Sequence, residues 1–188
     1  RSHALPGGLW NLVAMTGPIA ELGEDCRRGI EIARQHGPGP TPHVRFVYED
    51  SQGDPKVAVN GFNKLVAQDG ASAVITMRSP IGMAVNPISL QKRVPILAAV
   101  GHPEFATTNR YAFQHWPSTV AEGRVLVENT IAEGRRKIAV ITTEDEWTLS
   151  LSTEFLRELA ARGGEVLLNE TVLPSDTDHS AIFAKVKL

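Results

Sequence analysis

Apolar runs of strand length alternate with amphipathic stretches of helix length along almost the whole chain. Leu9 to Met15 reads as a first strand and ends at the turn Thr16-Gly17-Pro18. Leu22, Cys26, Ile30 and Ala33 then recur at helical spacing, and Gly37-Pro38-Gly39-Pro40 stops that helix. Val44 to Tyr48 is a second strand. Asp54 before Pro55 has the form of an N-cap with proline at the first helical position, and Ala58, Phe62, Leu65 and Val66 give the helix a buried stripe.

The pattern repeats. Ala71 to Thr76 is a short apolar strand, and Ser79-Pro80 opens the next helix. Val94 to Val100 is a strand bounded by Gly101-His102-Pro103, and Tyr111 to His115 is a brief aromatic one. Ser118 to Glu133 reads as helix, Lys137 to Thr142 as strand, and Leu151, Phe155 and Leu159 as a helix closed by Gly163-Gly164. Glu165 to Glu170 is a further strand, and Ile182, Phe183 and Val186 begin a last amphipathic helix. Such alternation with short connections predicts an α/β fold, a doubly wound parallel sheet with helices on both faces. Sheets of this kind bind ligands at the carboxyl ends of their strands. That places candidate site segments at Thr16–Glu21, Asp50–Asp54, Met77–Ile81, Val100–Phe105 and Thr142–Thr148. No strand follows the last helix to cover its apolar positions and Leu188 follows no stop signal, so the chain is expected to be a fragment of something longer.

Composition narrows the partners more than the fold. With 188 residues there is room for one substantial domain or two small ones. Nineteen basic against twenty-one acidic residues leave a net charge of −2, which offers no electrostatic footprint for a phosphate backbone, and nucleic acid is not expected as a partner. No stretch approaches the roughly 20 apolar residues that span a bilayer. The lone Cys26 excludes an internal disulfide and a multi-cysteine metal site; on an apolar stripe it reads as a packed core thiol. There is no glycine-rich phosphate loop after the first strand, no H-E-x-x-H and no nucleophile elbow, so neither a cofactor nor catalysis is expected from local motifs.

Four strand ends carry candidate binding chemistry. At Ser79-Pro80-Ile81-Gly82 a serine at a helix N-cap presents a hydroxyl and free N–H groups at the positive end of the dipole, which suits a carboxylate. The same residues also make an ordinary cap with nothing bound. His102 follows the strand ending at Val100, and Gln114, His115 and Trp116 end the next one. Trp147 follows the acidic run Glu144-Asp145-Glu146. Aromatic and imidazole groups at separate strand ends line small-molecule pockets, but they serve packing as readily.

Several segments, in order, resemble the branched-chain amino acid (Leu/Ile/Val-binding) family of type I periplasmic solute-binding proteins, the extracellular ligand-binding receptors of ABC transporters. Met15-Thr16-Gly17-Pro18-Ile19-Ala20-Glu21-Leu22-Gly23 resembles the opening signature. Glu49-Asp50-Ser51-Gln52-Gly53-Asp54-Pro55, with Ala58 and Lys64-Leu65-Val66 after it, is similar to the D-x-Q-x-D-P segment and its helix. Val94-Pro95-Ile96-Leu97 and Arg136-Lys137-Ile138-Ala139-Val140-Ile141 are similar to two of the family's strands. The resemblance implies two α/β lobes that close on a ligand. Residues 1–117 would form the N-terminal lobe without its return segment, and residues 118–188 the first part of the second lobe. It also implies that Ser79 holds a ligand carboxylate with Pro80 beside it, and that Val100 and His102 meet the head group. Trp147 would supply a pocket aromatic from the second lobe, and Leu22 would guard the mouth. His102 where the family has threonine, Leu22 where it often has an aromatic, and Gln114 where arginine is common are departures that bear on the ligand's identity.

The function implied is a periplasmic receptor that passes a small carboxylate, an amino acid or an aromatic acid, to the membrane permease of an ABC importer. The alternatives are a cytoplasmic ligand-sensing regulator of the same fold and a doubly wound enzyme. The exposed apolar stripe and sheet edge of a shortened chain would also favour self-association.

Overall fold

The computed structural model describes residues 8–37 and 45–186. The elements are β1 (Gly8–Val13), α1 (Ala20–His36), β2 (Arg45–Asp50), α2 (Pro55–Ala67), β3 (Val74–Met77), α3 (Ser79–Lys92), β4 (Ile96–Ala99), β5 (Ala112–Gln114), α4 (Thr119–Ala132), β6 (Lys137–Thr143), α5 (Glu146–Ala161), β7 (Glu165–Val172) and α6 (Ser180–Val186). The expected alternation is present, and every strand pairing is parallel. Val44, Pro38, Gly39, Pro40 and Leu188, which entered the sequence expectations, lie outside the described residues.

The chain divides into two compact units. The first comprises residues 1–100 and 104–116, the second 101–103 and 117–188. The first holds a five-stranded sheet in the order β2-β1-β3-β4-β5. On one of its faces Trp10, Leu12, Val74, Ile96, Ala98 and Ala112 meet Ala58, Phe62 and Leu65 of α2 and Ile81 and Val85 of α3. Asp54 caps α2 as its spacing predicts, accepting from Lys56 N at 2.7 Å and Val57 N at 2.9 Å.

The opposite face is covered unevenly. Helix α1 lies over β1 and β2, and the Tyr48 hydroxyl donates to Glu31 Oε1 at 2.8 Å. Burial and that hydrogen bond push the Tyr48 phenol well above its ordinary range. The expected apolar stripe of α1 is not a buried one: Leu22 is 49% exposed, Ala33 is exposed, and Gly23 is the buried residue of the helix. Cys26 is accordingly only partly buried rather than a core thiol, and that burial raises its pKa. The reason is that α1 docks through close backbone approach at Gly23 and the hydrogen bond from Tyr48 to Glu31, while Leu22 and Ala33 point away from the sheet into exposure. Farther along the same face, Leu97 and Phe113 stand side by side in register and are 45% and 55% exposed.

The second unit pairs β6 with β7 and packs α4 against α5, with Val127 and Leu159 fully buried. Gly123 lets the helices approach, since a Cβ there would meet Phe155 N at 3.0 Å. The short α6 leaves Phe183 and Val186 exposed.

Candidate functional site

In the first unit the carboxyl ends of β1, β2, β3 and β4 deliver four connections to one edge of the sheet. The β1–α1 and β2–α2 connections are held together by one carboxylate. Asp50 Oδ1 accepts from Met15 N at 2.8 Å, Thr16 N at 3.3 Å and Gln52 N at 2.8 Å, and Oδ2 accepts from the Thr16 hydroxyl at 2.6 Å. Burial pushes the Asp50 carboxyl up, but the donors from Thr16, Gln52 and Met15 outweigh it and hold the pKa below the ordinary value.

The β3–α3 connection is a single residue. Arg78 N–H still bonds Ala99 O at 2.9 Å in the strand ladder, while Arg78 O accepts from Gly82 N at 2.9 Å as the first helical bond. Strand and helix therefore meet at Arg78, which takes φ 70° and ψ 137°. This corrects the expected cap: Arg78 is the N-cap, Ser79 is the first helical residue, and Pro80 is the second. Ser79 is buried and Pro80 partly so. The side chain of Val100 is fully buried and packs over Gly82 of α3, so what it can offer a ligand is backbone. The Gln114 amide nitrogen is buried and has no acceptor among the described residues. Leu22 stands exposed on the first turn of α1. A shallow depression of about 400 Å³ beside α2, lined by Pro55, Lys56, Val59, Asn60 and Ala84, contains none of these residues.

His102 and Trp147 belong to the second unit, which brings them to the same place. Thr119 N donates to Gly101 O at 2.8 Å. A Cβ on Gly101 would lie 2.6 Å from Trp147 Cδ1, so the indole rests on the glycine backbone. His102 Nε2 is 3.5 Å from Glu146 Oε1, a salt bridge when the ring is protonated. Trp147 sits in the first turn of α5, where its N–H bonds the Asp145 cap at 2.9 Å and its indole N–H donates to Glu122 Oε2 at 3.1 Å. Within the acidic run, Asp145 is thus the helix cap and Glu146 the partner of His102, while Glu144 is exposed. The pairing of Trp147 with Glu122 spans 25 residues and left no local trace in the sequence. The clamp at Asp50 was likewise missed, although Asp50 and Thr16 both fall within expected strand-end segments. Among the described residues no group of His, Cys, Asp and Glu is placed to hold a metal, and no helix is long and apolar enough to cross a membrane.

A sequence model of the periplasmic binding protein family matches residues 11–188. The chain is 27% identical over 184 residues to the Leu/Ile/Val-binding protein homolog 2 of Brucella abortus, covering 92% of this chain and 48% of that protein. In structure it is similar to the leucine binding protein LivK of Thermotoga maritima, with a TM-score of 0.87, 21% identity, and coverage of 96% of this chain and 53% of that one. It is also similar to an R. palustris ABC-transporter solute-binding protein in complex with benzoate, with a TM-score of 0.86, 23% identity, and coverage of 95% and 51%. The chain spans about half the length of the curated relatives it matches. The sequence match runs through both units and the parallel α/β architecture agrees with it, so the chain belongs to the periplasmic binding protein family, as a type I member of the branched-chain amino acid group.

Proposed function

We propose that the chain is part of a solute-binding receptor that acts in the periplasm, takes up a small carboxylate and delivers it to the permease of an ABC importer. The observation that carries the ligand class is the start of α3. The positive-φ turn at Arg78 ends the strand and opens the helix on one residue, so α3 starts at the carboxyl edge of the sheet, and in this reading the Ser79 hydroxyl serves the carboxylate there. Helix N-termini favour anions, because first-turn N–H groups and the helix dipole act together. The Gln114 amide adds a donor that has no acceptor among the described residues, and the Val100 backbone follows the adjacent strand. Taken by itself, the second unit offers an imidazole at His102 and an aromatic face at Trp147, and within the first unit Leu22 stands on the first turn of α1. A receptor needs only differential affinity between its conformations, which calls for no nucleophile or base. The named relatives support the class without fixing the member: one is named for leucine, isoleucine and valine, another holds benzoate, and all of these are small carboxylates.

Calorimetric titration with leucine, valine, benzoate and 4-hydroxybenzoate tests the reading, with benzyl alcohol as the control that lacks a carboxylate. At least one acid should bind saturably and benzyl alcohol should not. Ser79→Ala should weaken that acid by about tenfold to a hundredfold through loss of a charge-assisted hydrogen bond. Benzyl alcohol binding as well as benzoate, or full affinity in Ser79→Ala, would refute carboxylate recognition at α3.

A further inference from the structure

Helix α1 begins without a cap of its own. Its N-cap residue is Ile19, which makes no side-chain capping bond; Ala20 N donates to Gly17 O at 3.2 Å and Gly23 N to Ile19 O at 3.3 Å. A helix entered this way takes its direction from whatever holds the preceding turn. Here that turn is held from outside, by Asp50 at the end of β2.

We infer that Asp50 is a positioning residue for ligand binding: its carboxylate clamps the β1–α1 connection to the β2–α2 connection and thereby sets where Thr16 and Leu22 stand at the sheet edge. The inference rests on the receptor reading above. Three of the four bonds to Asp50 come from Met15 and Thr16, and the fourth from Gln52 on its own connection, so one side chain ties two loops. Glycines allow the loops to interlock around it. Gly17 takes φ 87° and lies so close to the β2–α2 loop that a Cβ would sit 2.7 Å from Gln52 O; Gly53 takes φ 71° and a Cβ there would sit 2.6 Å from Ile19 Cγ1. An ionised carboxylate only accepts, so the Thr16 hydroxyl must donate its proton to Asp50. The exposed Thr16 oxygen is then left as an acceptor, which assigns it a donor group on the ligand, an ammonium or a hydroxyl, rather than the carboxylate. Leu22 follows on the first turn of α1, and its position inherits whatever angle the clamp imposes.

The test compares Asp50→Ala and Asp50→Asn with a stability control, Phe62→Leu, which disturbs the same unit from the α2 side. Amide hydrogen exchange is measured first and needs no ligand. In Asp50→Ala the Met15, Thr16 and Gln52 amides should exchange at least tenfold faster while the strand amides of Ile75 and Leu97 do not change. In Asp50→Asn the retained carbonyl oxygen should keep the effect to a few-fold. Phe62→Leu should speed strand amides without singling out the loop. Unchanged loop exchange in Asp50→Ala, or acceleration spread evenly over the unit, overturns the clamp. Leucine and benzoate are then titrated. The one that binds the native chain should lose at least tenfold in affinity in Asp50→Ala and less than threefold in Phe62→Leu. Faster loop exchange with unchanged affinity overturns the role in binding. Failure of the native chain to bind either acid would count against the receptor reading, and the exchange result would still decide the clamp.

Discussion

Gly82→Ala puts one methyl group at the point where α3 meets the end of β4. Alanine is the better helix former by about 1 kcal/mol, so an isolated helix would gain. The site does not allow that gain to stand. The new Cβ would fall well inside contact distance of Val100 Cγ2, with Phe105 Cε2 at 3.3 Å and Val100 Cβ at 3.6 Å. Val100 and Phe105 are both fully buried, and Val100 is stiff at its branched Cβ, so neither retreats into open space. Overpacking of this kind costs about 1–3 kcal/mol. The net expectation is a loss of about 1 kcal/mol, or about 0.5 M in a urea midpoint for a unit of this size. Val100→Ala alone removes two buried methyl groups and should cost about 2 kcal/mol with its cavity. Combined, the two changes relieve each other, because the alanine methyl enters the space that Val100 vacated. The double variant should therefore be about 1 kcal/mol more stable than the sum of the single losses predicts. Urea denaturation followed by fluorescence reads this directly, because Trp10 is buried in the same core. Additivity within about 0.5 kcal/mol, or a stabilised Gly82→Ala, would refute the packing argument.

Asp50 also predicts a pH effect. Its pKa is held below the ordinary value in the folded chain, so its contribution is present above the unfolded value near about 3.9 and lost as the pH falls through the folded one. Asp50→Asn should lower stability at neutral pH and flatten the acid limb below about pH 4 in urea midpoints taken from pH 3 to 7. An acid limb of unchanged slope would show that the carboxylate contributes nothing there. Leu97 and Phe113 form an exposed apolar pair on the sheet face beside α1, and the chain should self-associate with rising concentration. Phe113→Ser should reduce the larger species in sedimentation velocity; the same distribution in both would move the association to another surface.

Much of the architecture was written locally. Apolar runs located every strand to within a few residues, since strands of a parallel sheet covered on its faces read as near-continuous apolar runs, most clearly in β1 and β3. Asp54-Pro55 located the start of α2, since a short acidic side chain and a fixed φ act within one turn. Gly163 marked the end of α5 for a related reason: it takes φ 72°, where a side chain is strained. The order of the segments also identified the family.

What depended on distant parts of the chain was not legible. Leu22, Cys26, Ile30 and Ala33 have the spacing of a buried stripe, yet burial needs something to pack against, and α1 is held instead through Gly23 and Tyr48. Ser79-Pro80 reads as a cap and its helix, but the parallel pairing of β3 with β4 keeps the Arg78 N–H in the ladder and moves the cap back by one residue. Asp50 and Thr16 are 34 residues apart, Trp147 and Glu122 are 25 apart, and both pairs exist only because parallel strands and paired helices return the chain to the same edge. Periodicity reports the environment of a residue type along one element. Which two elements meet, and with which side chains, is settled by the closing of the sheet and the packing of helices against it.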